Sequence, residues 1–251
     1  MTQANPQTEG LTTPEALLNA MLPHVIFEGW SEAALTEAGQ DLGLTPARVA
    51  ALAPRGAVGM AALSHRLGDQ RMVKALAEMD FSGVPFRARV AKAVRLRLEG
   101  EDREIIRRGT TLFTMPHHAA EGTKLLWGTA DAIWTALGDG SDDVNWYTKR
   151  MTLAGVYSAT VLYWLGDSSE DAAETWAFLD RRIEDVMRIE KAKAKLREMP
   201  LFGKLLNHPL NPLAHVKAPS SSTGDWKRHW PGRWQGECAP KAEPQSDAPS
   251  S

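Results

Sequence analysis

The stretch at residues 31–54, SEAALTEAGQDLGLTPARVAALAP, carries the start and stop signals of two short helices. Ser31 is a favoured N-cap residue, and Gly43 ends the first helix. Thr45 and Pro46 open the second helix, which must end before Pro54. Apolar residues recur at three- to four-residue spacing through both helices: Ala34, Leu35, Ala38, Leu42, Val49 and Leu52. A helix, a glycine turn and a second helix predict a helix-turn-helix over residues 31–53.

Helical signals continue through most of the chain, while runs of alternating β-branched residues are almost absent. Caps and breakers predict further helices over these ranges: Thr13 to near Pro23, Gly56 to Met79, Pro85 to Leu98, Asp102 to Phe113, Pro116 to Leu137, Asp143 to Leu165 and Glu170 to Arg197. The sequence therefore predicts an all-α fold.

The composition changes near residue 200, where a proline-rich region begins. Eight of the fifteen prolines lie at or beyond Pro200, and residues 219–224 form a low-complexity linker. With 251 residues, 43% of them hydrophobic, the chain can form one domain of about 200 residues. We expect a flexible start at 1–12, a helix-turn-helix-like subdomain at 13–80, a second helical subdomain at 81–199, an amphipathic segment at 200–217 and a disordered tail at 218–251.

The start of the chain, its longest uncharged apolar stretch and its lone cysteine predict where the protein is located. Residues 1–10 contain no basic residue, so neither a secretory signal nor an Arg-rich transit peptide is expected. The uncharged stretch Met151–Gly166 is shorter than the roughly 20 residues that a membrane span needs. A lone cysteine, Cys238, forms no intramolecular disulfide and lies in the proline-rich tail. We therefore expect a soluble, intracellular protein.

Catalytic and metal-binding patterns are absent from the sequence. His117 and His118 are adjacent, so on a helix they point about 100° apart and cannot share one ion as an i, i+4 pair would. We find no E-x-x-H pair, no P-loop and no serine in a strand-turn-helix setting. We expect neither a catalytic residue nor a metal site.

Duplex DNA is an alternative ligand, because a helix-turn-helix is also a DNA-binding motif. The second helix of that motif offers one cation, Arg48, and the net charge of residues 31–55 is −1. Phosphate contacts supply most non-specific DNA affinity, and this surface can make few of them. We predict no sequence-specific binding to duplex DNA.

The segment DVNWYTKR at residues 143–150 places aromatic and charged side chains on one helical face. Asp143, Trp146, Tyr147 and Arg150 fall at i, i+3, i+4 and i+7, within an arc of about 100°. In one interpretation, the two rings anchor the core while Asp143 and Arg150 form an exposed pair. In the other, the face docks a partner, because Trp, Tyr and Arg are enriched at interface hot spots. The spacing leaves both interpretations open.

The two helices around this segment are rich in large apolar residues: Trp127, Ile133, Trp134, Tyr157, Leu162 and Trp164. Most of these fit an ordinary core. An apolar ligand pocket between helices needs the same residue types, so the sequence alone does not separate the two interpretations.

Several of these segments resemble the ninth Coq protein family, whose members are lipid-binding accessory factors of coenzyme Q biosynthesis. The resemblance rests on WGTADAIW at 127–134, GDGS at 138–141, DVNWYTKR at 143–150 and WAFLDRRI at 176–183. It extends to LPH at 22–24 and FEGW at 27–30, and so covers roughly residues 14–195. It implies a TetR-like helical fold, usually dimeric, that has lost DNA binding and holds isoprenoid or another lipid in its C-terminal helices.

The resemblance also implies a partner and a membrane contact. The partner is a di-iron demethoxyubiquinone hydroxylase, docked by Asp143, Trp146, Tyr147 and Arg150. The lipid cavity would lie within residues 85–165, lined in part by Trp127, Ile133, Trp134 or Tyr157. The family ends in an amphipathic membrane helix; here it would comprise Leu201, Phe202, Lys204, Leu205 and Leu206, and Pro209 and Pro212 cut it short.

Together these observations predict a non-catalytic protein that binds lipid and presents a hydrophobic quinone intermediate to the hydroxylase. The alternative is a ligand-responsive transcription regulator of the TetR type. We expect a homodimer without a cofactor other than bound lipid, located in a bacterial cytoplasm and on the inner face of the membrane.

Overall fold

The computed structural model describes residues 13–141 and 144–198, and these residues form nine α-helices and one 3-10 turn, with no strand. The helices are α1 (Pro14–Glu28), α2 (Glu32–Asp41), α3 (Pro46–Leu52), α4 (Gly56–Ala77), α5 (Phe86–Glu99), α6 (Arg103–Thr114), α7 (Ala119–Ala136), α8 (Val144–Gly166) and α9 (Ala173–Glu198). The all-α fold is therefore as predicted, and α2 and α3 form the helix-turn-helix. The proline-rich tail and Cys238 lie outside the described residues.

Side-chain caps start the first three helices where the sequence places them. The hydroxyl of Thr13 accepts a hydrogen bond from the backbone of Ala16 at 3.2 Å. Ser31 and Thr45 cap α2 and α3 in the same way, at 3.1 and 3.3 Å. Each cap satisfies a backbone N–H that the helix itself leaves without a partner.

The first helix is longer than predicted. We expected α1 to end near Pro23, but it continues through this proline to Glu28 and stops at Gly29, whose φ is +70°. A proline inside a helix costs one backbone hydrogen bond. The burial of Leu17, Met21 and Val25 along one side of α1 outweighs that cost.

Two apolar cores hold the helices together, and α4 contributes to both. The first core joins α1, α2, the start of α4 and Ile105 of α6. The second joins the end of α4 with α5, α7, α8 and α9, and it contains Tyr157, Trp164 and Trp176. Because α4 runs through both cores, the helix-turn-helix is fixed to the C-terminal helices.

None of the helices in the described part of the chain is long and apolar enough to cross a membrane.

Candidate functional site

Three aromatic rings lie together on one side of α7 and α8. Trp127, Trp146 and Tyr147, which we call the aromatic face, are all half-buried. The Trp146 and Tyr147 rings meet edge to face, with centroids 4.8 Å apart. Trp127 lies 5.8 Å from Trp146 and 6.3 Å from Tyr147. Trp127 was expected in the lipid cavity, but it belongs to this exterior cluster.

Arg150 supports the aromatic face from beneath. Its guanidinium carbon lies 3.9 Å from the centroid of the Trp146 ring, a cation–π contact. Its Nε lies 2.5 Å from Asp131, and its Nη1 lies 3.1 Å from Asp139. Arg150 is only 2% exposed, so the interpretation in which it forms an exposed pair with Asp143 is wrong for Arg150. A buried guanidinium must be paired, and two carboxylates on the α7 side of the cluster provide the pairing.

The turn at residues 138–141 holds the second of these carboxylates in place. Gly138 adopts a φ of +80°, which favours glycine, and it directs the chain back towards α8. Lys149 donates to Asp139 at 2.7 Å and to Ser141 at 2.5 Å. Burial alone would raise the pKa of Asp139, but hydrogen bonds from Lys149, Ser141 and Arg150 outweigh it and lower that pKa. Asp139 is therefore a stable anion. Asp143, the fourth residue predicted for the docking face, lies outside the described residues.

Trp134 packs beside this turn and does not line the cavity between the two cores. Its ring stacks on Phe86 at 5.4 Å, and its indole N–H donates to the backbone oxygen of Lys149 at 3.2 Å. Trp134 was predicted to bind lipid, and the structure places it in a packing role instead. Ile133, also predicted there, is fully buried in the second core, where neighbouring side chains enclose it.

A cavity of about 410 Å³ opens between the two cores. Its outer part is largely apolar and includes Phe113, Leu126 and Leu162. Tyr157 lines its inner part and is the one residue of the four predicted for lipid that does so. We expected a cavity confined to residues 85–165, but Trp30 and Ala61 also line it, because α4 and the loop before α2 close that side.

A buried polar cluster, formed by His65, Asp69, Arg97, Glu101 and Thr129, lies at the inner end. Arg97 donates to Asp69 at 2.7 Å, to Glu101 at 3.0 Å and to the backbone oxygen of His65 at 3.0 Å. Nε2 of His65 lies 2.9 Å from the hydroxyl of Thr129, which donates to Asp69 at 2.9 Å. Burial, reinforced by the charge of Arg97, lowers the pKa of His65 to about 3. His65 is therefore neutral at pH 7.

Glycine at position 68 makes this cluster possible. A Cβ at Gly68 would lie 2.5 Å from a Glu101 oxygen and 2.6 Å from the guanidinium carbon of Arg97. The sequence analysis missed the cluster. Its available signal was Arg97 itself, which continues the buried stripe of Val90 and Val94 on α5.

The segment predicted for membrane contact, Leu201, Phe202, Lys204, Leu205 and Leu206, lies outside the described residues.

Comparisons with known proteins converge on the helices that carry this site. The COQ9 family model matches residues 119–190, which contain α7, α8 and most of α9. The bovine ubiquinone biosynthesis protein COQ9, mitochondrial, is 32% identical over 181 residues, which are 69% of this chain and 57% of the relative. The rat protein of the same name is 33% identical over 69% of this chain and 58% of its own length. The chain thus spans less than two thirds of these relatives.

A solved structure shares the fold at low sequence identity. It is described as a TetR transcriptional regulator from Nitrosomonas europaea ATCC 19718, with a TM-score of 0.56 and 16% identity. The likeness covers 68% of this chain and 95% of that one. At this identity it establishes a TetR-like all-α fold alone.

Proposed function

This chain belongs to the COQ9 family, and from that premise we propose that it acts in ubiquinone biosynthesis as a non-catalytic, lipid-binding accessory protein. In this proposal it presents a hydrophobic quinone intermediate to demethoxyubiquinone hydroxylase or a related hydroxylase. The observation that carries the proposal is the shared wall between cavity and aromatic face. Leu126 lines the cavity, and its neighbour Trp127 lies in the aromatic face.

The cavity supports the lipid part of the proposal. A polyprenyl tail gains about 0.8 kcal/mol for each methylene that leaves water, so it needs an apolar shelter outside the bilayer. Phe113, Leu126 and Leu162 offer such a surface near the opening. The volume of about 410 Å³ lies within the roughly 300–1,000 Å³ common for small-molecule sites. We expect it to shelter the ring and the first part of the tail.

The aromatic face supports the partner part. Half-buried Trp and Tyr rings that are already clustered lose little side-chain entropy when a partner covers them. Arg150 fixes the orientation of Trp146 from below. In this proposal Trp127, Trp146 and Tyr147 contact the hydroxylase, while Arg150 positions them.

We also propose that the protein forms a homodimer and attaches to membranes. We propose weak, reversible attachment through the segment at residues 200–217, which lies outside the described residues. Deleting that segment should reduce flotation with liposomes. The likeness to a TetR regulator concerns the fold and does not favour a role in transcription.

Mass spectrometry of lipids extracted from the natively purified protein tests the lipid part. Leu162→Glu places a charge in the cavity wall at a residue that is 60% exposed, so the fold should tolerate it. Met151→Glu is the matched control, because Met151 is 66% exposed on the same helix and does not line the cavity. We expect isoprenoid in the parent and the control, and at least a fivefold loss in Leu162→Glu. A parent protein free of lipid contradicts the proposal.

A further inference from the structure

Tyr157 is a buried residue whose side chain faces the cavity. It lies on α8 in the wall of the cavity and is only 2% exposed. Its hydroxyl makes no hydrogen bond to any of the described residues. Burial raises the pKa of Tyr157 to about 12, so the hydroxyl is protonated at pH 7 and can donate. The hydroxyl of a largely buried tyrosine usually has a hydrogen-bond partner, and a group that enters the cavity can supply one here.

The charged groups near Tyr157 are already paired with one another. Arg97 is only 1% exposed and is paired with Asp69 and Glu101, so its charge is neutralised within the protein. His65 is engaged with Thr129. The inner end therefore offers a donor, Tyr157, beside a cluster whose cation is already paired. That environment suits a neutral oxygen better than a carboxylate or a phosphate.

We infer that the inner end of the cavity binds the oxygen-bearing ring of an amphipathic ligand, a quinone or phenol whose oxygen accepts a hydrogen bond from the Tyr157 hydroxyl. The inference rests on the proposed function for the ligand class and adds its orientation. The tail extends past Leu126 and Phe113 towards the exposed Leu162. A ligand held the other way round would leave the Tyr157 hydroxyl against hydrocarbon.

This orientation places the ring beside the helix that carries two residues of the aromatic face. Tyr157 follows Tyr147 by ten residues on α8, which is about 15 Å along the helix axis. α7 forms the other part of the shared wall, through Leu126 and Trp127. The ring and the surface proposed for the hydroxylase are thus connected through α7 and α8.

A cycle of one side-chain change and one ligand change tests the inference. The full-length protein and its Tyr157→Phe variant are titrated with two probes that carry the same geranyl tail. One probe is ubiquinone with that tail, and the other is geranylbenzene, whose ring has no oxygen. Tyr163→Phe is the matched control, because Tyr163 lies on the same helix with its hydroxyl 3.4 Å from the exposed Glu174.

We expect Tyr157→Phe to weaken ubiquinone binding by about fivefold to tenfold, the loss of one hydrogen bond, and to leave geranylbenzene binding unchanged. Tyr163→Phe should change neither affinity. Equal effects on both probes, or no effect on either, would overturn the inference while lipid binding stands. If neither probe binds the parent protein, the proposed function itself fails. Should Tyr157→Phe not fold, the parent must still bind ubiquinone more tightly than geranylbenzene, and equal affinities would overturn the inference.

Discussion

Two arginines are buried in this molecule, and they serve different regions. Arg97 lies at the inner end of the cavity and is 1% exposed; Arg150 lies beneath the aromatic face and is 2% exposed. Each is paired with two carboxylates. The partners of Arg97, Asp69 and Glu101, are both shielded from solvent, whereas Asp131 beside Arg150 is nearly half exposed.

The exposure of the carboxylates distinguishes the two regions: the cluster around Arg97 is enclosed, whereas Arg150 lies beneath rings that reach the surface. Around Arg97 both paired carboxylates are largely shielded from solvent, and the cluster joins α4, α5 and α7 at the cavity. Around Arg150 one side is ion-paired while the guanidinium lies over Trp146, which stays half-buried. A buried arginine paired with two carboxylates therefore joins helices at the cavity in one region and orients aromatic rings at the surface in the other.

Removing Arg97 should have the largest effect on stability. Arg97→Met leaves Asp69 without its main partner in a buried site, and an unpaired buried charge costs about 3–5 kcal/mol of unfolding free energy. Arg95→Met is the matched control on the same helix. It removes an exposed pair with Glu99 and a cation–π contact with Trp176, which together should cost about 1–2 kcal/mol. Urea denaturation measures both. Equal losses would mean that the cluster is not what joins the helices.

Arg150→Ala should cost less, about 2–3 kcal/mol, because solvent can partly compensate Asp131 and Lys149 still neutralises Asp139. We expect hydroxylase pull-down to fall as well, since Trp146 loses its support. Arg182→Ala, which breaks an exposed pair with Asp185, should change neither quantity. An unchanged unfolding free energy in Arg150→Ala would show that the aromatic face does not depend on its buried cation.

Local signals predicted the helices well, because caps and turns depend on neighbouring residues. Thr13, Ser31 and Thr45 start their helices as expected. Pro23 misled the prediction for α1, because buried contacts from other helices decide whether a helix survives a proline.

The site was only partly predictable, because it depends on distant contacts. Helical spacing brought Trp146, Tyr147 and Arg150 together, but it could not show that Asp131 and Asp139 bury Arg150. For the same reason it did not separate Trp127, in the aromatic face, from Tyr157, in the cavity.

Acidification should lower the stability of the protein through His65, which belongs to the buried polar cluster. Its folded pKa of about 3 is below the ordinary value of 6.5, so between these limits the unfolded chain binds a proton that the native protein does not. Stability therefore falls as pH falls through this window, by about 2 kcal/mol between pH 7 and pH 5. His65→Gln should lack this component of the pH dependence.

A second histidine, His24, should change stability with pH in the opposite direction. A hydrogen bond with Asp41 raises the pKa of His24, so its contribution is present at low pH and is lost as pH rises through its folded pKa. His24→Gln should therefore make the protein lose more stability on acidification than the parent does. Guanidinium chloride titrations at pH 7, 6 and 5 measure all three proteins, and parallel curves for parent and His65→Gln would contradict the assignment.

Truncating Trp146 should have the smallest effect on stability, and it distinguishes the aromatic face from the apolar core. Trp146 is half-buried and contacts Tyr147, Trp127 and Arg150, whereas a core tryptophan would be enclosed. Trp146→Ala should therefore lower the unfolding free energy by about 1 kcal/mol, against about 3–5 kcal/mol for a core tryptophan. Partner binding should fall by 2 kcal/mol or more, the size of a hot-spot loss.

Trp176→Ala provides the contrast, because Trp176 is buried in the second core and far less of its ring reaches solvent. That variant should lose stability of the core magnitude, and its hydroxylase binding should fall only as far as its folded fraction falls. Melting temperature and pull-down are measured on the same preparations of both variants. If Trp146→Ala melts as early as Trp176→Ala, the rings of the aromatic face are structural. If Trp146→Ala still pulls down the hydroxylase as the parent does, the hydroxylase docks elsewhere, and Arg150 has only a structural role.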